Sequence, residues 1–129
     1  MKGSLERLKE IKLCSNADLK NARELAESIM SPPASKRVAD IERMFKALGG
    51  HNRIVILLML SRKEMCVCEM TAALNIPQPS ISHELGILER EEFIKRRRVG
   101  RWVFYSLSKN FLTDNLINPL FREISEMST

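Results

Sequence analysis

Between Ile76 and Leu107 the hydrophobic period changes from that of a helix to that of a strand, and this change constrains the fold more than any other stretch of the chain. From Pro79 to Glu92 the apolar residues Ile81, Leu85 and Leu88 recur at helical spacing, which gives an α-helix one buried face. Gln78, Ser80, Ser82 and His83 are left for the other side. A proline is tolerated at a first helical position because its missing N–H would have no intrahelical partner there, so the helix is predicted to begin near Pro79. From Phe93 to Leu107 the chain turns to strand chemistry, with Phe93, Ile94, Trp102, Val103, Phe104 and Tyr105 flanking a turn at Val99, Gly100 and Arg101. The pattern predicts a β-hairpin.

Arg96, Arg97, Arg98 and Arg101 gather at the tip of that hairpin. Four cations so close repel one another unless an anion answers them, and guanidinium forks suit phosphate oxygens. A polar-faced helix beside an arginine-rich hairpin is the arrangement of a winged helix-turn-helix on double-stranded DNA, with the helix in the major groove and the wing beside it. The plain alternative is a solvated charged hairpin.

A chain of 129 residues, 44% hydrophobic, is long enough for one domain with an appendage. Its formal charge of +5 favours a polyanionic partner. The longest apolar run, Ile54 to Leu60, is far short of a membrane span, and the opening MKGSLERLKEIKL lacks the apolar stretch of a signal peptide. The expected location is the cytoplasm, away from membranes. Three cysteines make an odd count, and a disulfide framework is out of place in a reducing compartment.

In chain order, Leu5, Leu8 and Ile11, then Leu19, Ala22, Ala26 and Ile29, keep helical spacing, and SPPAS at Ser31 to Ser35 ends this arm. The domains read as an arm over residues 1–34 and a DNA-binding and dimerisation domain over 35–129. Lys36 to Leu48 places Val38, Ile41, Phe45 and Leu48 on one face before Gly49 and Gly50. Ile54 through Leu60 is apolar on every side, as in a helix buried at the centre of a core with His51 or Asn52 as its cap, a buried strand being the competing reading of so short a run. A helix over Met65 to Leu74, with Val67, Met70 and Leu74 inward, precedes the Pro79 helix, so the pair makes a helix-turn-helix. Ser108 is the candidate cap of a last helix through Phe111, Leu112, Leu116, Leu120 and Ile124, which Pro119 must kink or restart. The predicted class is mainly α with a small β-hairpin.

From about Arg43 to Leu107, in ALGGHNRIVILLML, EMCVCEM and IPQPSISHELGILEREEFIKRRRVGRWVFYSL, the sequence resembles the ArsR/SmtB family of winged-helix repressors. The resemblance implies a homodimer joined through terminal helices, whose affinity for its DNA operator falls when inducer binds. It matches Gln78, Ser80, Ser82 and His83 to the DNA-facing helix, and Arg98 and Arg101 to the wing. The sequence departs from the family where Glu84 stands in place of a frequent second histidine and where Gly50-His51-Asn52 replaces Asp-Pro-Thr. Glu84 is thereby expected to alter the bases read.

Cys66 and Cys68, in the run from Glu64 to Met70, resemble the metalloid-binding segment of the family's arsenic and cadmium sensors. Thiolates select soft ions, so the candidate inducers are As(III), Sb(III), Bi(III), Cd(II), Pb(II), Zn(II) and Cu(I), with no organic cofactor. Residues i and i+2 of a regular helix point about 200° apart, so binding by both thiols is expected to distort the helix start. The family's arsenic pattern puts a third cysteine where Thr71 stands here. Cys14, in the arm, is then the remaining candidate metal ligand, as an arm residue is in the family's cadmium and lead sensors. Small buried side chains are the alternative reading of the cysteines.

Three functions remain to be weighed. The first is a repressor, bound as a dimer to an inverted repeat, whose operator affinity a thiophilic ion lowers. The second keeps DNA binding but makes the cysteines a redox switch. The third is a winged-helix protein-interaction module. No nucleophile elbow, Gly-rich phosphate loop or paired His/Asp constellation points to an enzyme.

Overall fold

The computed structural model describes Gly3 and residues 15–127. Contacts divide the chain into two units, 1–42 and 43–129. The division falls inside a helix, whereas the sequence places the arm's end at residue 34.

In the first unit, helix α1 (Asn16–Met30) opens on a capping box, in which the Ser15 hydroxyl oxygen accepts from the Asp18 N–H and the Asp18 carboxylate accepts from the Ser15 N–H, both at 3.1 Å. No residue of α1 is buried, and Leu25, Ile29 and Met30 are exposed. The next helix, α2 (Ala34–Leu48), starts two residues before the predicted Lys36 and runs into the second unit. Of its predicted apolar face only Leu48 is buried; Val38, Ile41 and Phe45 are exposed.

The second unit holds the core. Helix α3 (His51–Leu60) buries Ile56, Leu57 and Leu60, as its apolar run requires, but Ile54 is exposed, so the helix is covered on one side rather than all round. Gly50 is its cap residue, with no side-chain cap bond from His51 or Asn52. The helix predicted from Met65 begins later. Met65 and Cys66 form a short strand, β1 (Met65–Cys66), and helix α4 (Val67–Leu74) follows. The reason is tertiary: β1 pairs antiparallel with the hairpin, Met65 opposite Tyr105 and Cys66 opposite Phe104, and these backbone bonds exist only once the hairpin is folded.

Asn75 ends α4 in the left-handed conformation (φ 52°), a geometry that asparagine tolerates better than most residues. The chain then reverses through Ile76 and Pro77 into helix α5 (Gln78–Arg90), one residue earlier than predicted, with Pro79 in its first turn. Ile81, Leu85 and Leu88 are buried as their spacing requires. A six-to-one bond from the Phe93 N–H to the Leu88 carbonyl (3.0 Å) and another from the Glu92 N–H to the Glu89 carbonyl (3.1 Å) close α5 as a Schellman motif, with Phe93 and Leu88 both fully buried. Strands β2 (Ile94–Val99) and β3 (Trp102–Leu107) make the hairpin, and the sheet order is β1-β3-β2. Gly100 takes the positive φ (62°) that the two-residue turn needs.

The last helix is capped by Asn110, not Ser108. Its side-chain oxygen accepts from the Thr113 N–H (2.8 Å), while the Thr113 hydroxyl accepts from the Asn110 N–H and donates to the Ser108 carbonyl (2.7 Å). A π-turn over Thr113–Ile117 leads into helix α6 (Asn118–Met127), and the Asn118 N–H reaches back five residues to the Thr113 carbonyl. The widened turn lets the helix continue past Pro119, which has no N–H to offer and would otherwise crowd the preceding turn. Among the described residues no helix is long and apolar enough to cross a membrane.

Candidate nucleic-acid interface and thiol segment

The outward face of α5 is polar because its inward stripe has absorbed the apolar residues. Gln78, Ser80, Ser82 and His83 are all exposed, and His83 lies on the side opposite Ile81. These four predicted contact residues therefore share the uncovered part of one helix.

The acidic residues of the same helix behave differently. With 100° per residue, Glu84 lies about 60° to one side of Ile81 and Glu89 about 80° to the other. Each is taken by an arginine. Arg53 Nη1 donates to Glu84 Oε2 at 2.6 Å, and Arg96 Nε stands 3.2 Å from Glu89 Oε2. Just past the helix, Glu91 is met by Arg43 at 3.4 Å. Glu84 is thus turned toward Arg53 of α3 instead of standing on the exposed polar face. Sequence reading missed Arg53 altogether. The available signal was a lone arginine at the polar start of an otherwise apolar helix, next to Gly49-Gly50.

On the wing the four arginines divide by partner. Residues directly opposite in antiparallel strands share a face, so Arg97 lies over Phe104, with its guanidinium carbon 5.4 Å from the ring centre. Glu64 holds Arg97 in a bidentate pair, Nε to Oε2 at 2.7 Å and Nη2 to Oε1 at 2.5 Å. That contact keeps the Glu64 carboxyl below the usual glutamate range, chiefly through the Arg97 hydrogen bond. Arg96 is held by Glu89. Among the described residues Arg98 and Arg101 have no ion pair, and they stand at the tip beside exposed Val99 and Trp102. Two of the four wing cations are therefore answered by carboxylates of the chain, and the other two are left for an external anion.

The thiols lie where β1 becomes α4. Cys66 is half-buried in extended backbone (φ −89°, ψ 166°), and its N–H donates to the Glu69 carboxylate at 3.1 Å. Cys68 is exposed, one residue into the helix. The two thiols are not set 200° apart by a common helix as expected, because Cys66 is on a strand. Its register partner Phe104 is the residue over which Arg97 stacks, so the thiol segment is joined to the wing as well as to α5. Glu69 is also paired with Lys63 at 2.8 Å, and Lys63 together with the Cys66 N–H keeps its carboxyl low. Thr71, at the position of the family's third cysteine, has a buried hydroxyl oxygen with no hydrogen-bond partner. Cys14 lies outside the described residues. Among the described residues no three His, Cys, Asp or Glu side chains gather to hold a metal ion.

A family profile described as "Bacterial regulatory protein, arsR family" matches residues 51–96, from α3 into β2. The transcriptional repressor SmtB homolog of Synechocystis is 34% identical over 119 residues, 91% of this chain and 84% of that protein. The arsenical resistance operon repressor of Escherichia coli is 40% identical over 67 residues, 51% of this chain and 57% of that protein. Among solved structures, the transcriptional repressor BigR from Xylella fastidiosa superposes with a TM-score of 0.63 at 25% identity, over 74% of this chain and 93% of that one. Helix α5 and its hairpin correspond to the recognition helix and wing of a winged helix-turn-helix.

Proposed function

This chain belongs to the ArsR/SmtB family and is a transcriptional repressor rather than an enzyme, and from that premise we propose that it binds an inverted-repeat DNA operator in the cytoplasm as a homodimer and is released by a soft metal or metalloid ion at its cysteines. The observation that carries the DNA reading is the pairing of an uncovered polar helix face, Gln78, Ser80, Ser82 and His83, with a wing tip at which Arg98 and Arg101 have no ion pair among the described residues. The helix residues read base edges; the tip arginines bind phosphates. Arg96 and Arg97 are already bound to carboxylates of the chain and contribute little to that phosphate contact.

The homodimer is supported by apolar side chains left open on helices outside the core. Phe111 and Met127 are more than three-quarters exposed, and Ile124, Phe45, Ile41 and Val38 are also uncovered. A two-fold dimer would present its two recognition helices to half-sites separated by about one DNA turn or a multiple of it.

Cys66 and Cys68 supply two adjacent soft donors, which fit As(III), Sb(III), Bi(III), Cd(II), Pb(II), Zn(II) or Cu(I) better than any hard ion. A bound ion would draw these two thiolates together. Cys14 is proposed as the third donor on sequence grounds alone. Because Cys66 pairs with β3 and Cys68 stands on the helix packed against α5, a shift of this segment bears on both DNA-contacting elements. Coupling of this kind amounts to about 1–3 kcal/mol, and operator DNA must weaken ion binding by the same factor.

The test is titration of a labelled operator duplex with reduced protein, followed by addition of each ion. Footprinting should show two symmetric half-sites, and Cys66→Ser or Cys68→Ser should abolish release while leaving ion-free DNA binding intact. Unrepeated protection would sink the dimeric operator reading. Release by peroxide without metal, reversed by reductant, would replace ion sensing by a thiol switch.

A further inference from the structure

We propose that Arg53 and Glu84 are a positioning pair that fixes the roll of helix α5 about its own axis, and so sets which base edges Gln78, Ser80, Ser82 and His83 can reach; this rests on the reading that α5 enters DNA. The buried stripe of α5, Ile81, Leu85 and Leu88, is narrow. A narrow apolar stripe resists separation from the core better than it resists rolling, because hydrophobic contact is non-directional. Ile87, half-buried against the core on the Glu84 side, adds a further non-directional contact, so the angle is fixed most sharply by the directional contacts on the flanks.

The flank contact at Glu84 is well built. Its side chain and that of Arg53 are 19% and 16% exposed, so the pair is shielded more than the other ion pairs of the helix. Arg53 is itself fixed from behind: Nε donates to the Ala47 carbonyl at 2.6 Å and Nη2 to the Lys46 carbonyl at 3.4 Å, both at the end of α2. The guanidinium lies against Gly50, where an added Cβ would come within 2.5 Å of Cζ. Glycine at position 50 is therefore what makes room for it. One planar cation thus connects the end of α2, the start of α3 and the middle of α5, with three of its five donors directed at fixed oxygens. On the opposite flank Arg96 and Glu89 form a longer and more exposed pair that ties α5 to the wing. The two contacts oppose rolling in either sense, and the tighter one belongs to the body of the domain.

The arrangement also explains how a carboxylate can stand next to His83 on a helix that meets polyanionic DNA. Its charge is answered internally, and its oxygens point away from the groove.

The experiment uses the full-length reduced protein without inducer. Duplexes selected from a random pool by the wild type are compared with a scrambled duplex at one salt concentration, for the wild type, Glu84→Ala, Glu84→Gln and Arg53→Ala. Glu84→Ala and Arg53→Ala should each lose about tenfold or more of the selected-to-scrambled affinity ratio, the loss expected when one or two base contacts fall out of register. For Glu84→Ala, affinity for the scrambled duplex should not fall, and repeated selection should return altered base preferences. Glu84→Gln keeps an oxygen for Nη1 and should retain most of the ratio. An unchanged ratio in both alanine variants overturns the proposal, as does an equal loss of affinity on both duplexes, which marks a folding defect instead. If the wild type itself does not discriminate, the DNA reading of α5 falls first and this inference with it.

Discussion

Replacing Glu64 by glutamine and Arg98 by alanine should change the salt dependence of DNA binding in opposite directions. Each phosphate neutralised by a protein cation contributes about 0.9 to the slope of log affinity against log salt, so in a dimer one residue acts twice, for about 1.8. Arg98 has no ion pair among the described residues, and its loss should flatten the slope by that amount. Between about 50 and 200 mM salt this reduces the loss of affinity roughly twelvefold. Arg97 is held bidentate by Glu64 at 2.7 and 2.5 Å, so its charge is already matched within the chain. Glu64→Gln removes the matching charge and frees Arg97, steepening the slope by up to about 1.8 and strengthening binding to all sequences at low salt. Arg97→Ala in the wild-type background should change the slope little. Fluorescence anisotropy of a labelled duplex at four or five salt concentrations measures all three. If Arg97→Ala flattens the slope as much as Arg98→Ala does, the Glu64 pair opens on DNA and the free-state pairing does not predict the phosphate contacts. If Arg98→Ala leaves the slope unchanged, the wing tip is not on phosphate.

Glu92→Gly should stabilise the protein by about 1 kcal/mol in denaturant unfolding, because Glu92 occupies the left-handed position of the α5 Schellman motif at φ 61°, where an L side chain is strained. A destabilisation would mean that the glutamate side chain contributes more than the strain costs. Thr71→Cys should tighten As(III) binding, read from thiolate charge-transfer absorption in a Cys14→Ser background, because it adds to Cys66 and Cys68 a further thiol about one helical turn after Cys68, at a site whose hydroxyl has no hydrogen bond to lose. Unaltered As(III) affinity would show that the segment cannot close around the ion. Glu64 and Glu69 both have carboxyls held below the ordinary glutamate range, by Arg97 and by Lys63 with the Cys66 N–H respectively. Their stabilisation is fully present above the unfolded-state value and is lost as pH falls from there through the lower folded value. Melting temperature should accordingly drop with acidification below the glutamate range, and less so in the Glu64→Gln/Glu69→Gln double variant, while remaining flat near neutrality with respect to these groups.

The sequence by itself determined the elements whose signals are local. Ile81, Leu85 and Leu88 at helical spacing, strand residues on either side of Gly100, and glycine or proline at the ends of helices are choices each segment makes from its own periodicity and backbone preferences. The exposed polar face of α5 follows from the same count, since what is not on the buried stripe must lie outside it. The arginines of the wing were legible as a cluster but not as individuals. Tertiary structure alone decided that Glu64 and Glu89 would bind two of them, because those partners are brought from elsewhere by the folded sheet and helix. It also moved Cys66 from a predicted helix into β1, since a strand of two residues has no pattern of its own and exists only through its bonds to β3. Val38, Ile41 and Phe45 have the spacing of a buried face yet are uncovered within one chain, because periodicity tells which side of a helix is apolar and not what covers it. Arg53 and Glu84 stand 31 residues apart, and no local rule links them; the pair depends on α3 and α5 crossing beside Gly50, a property of packing.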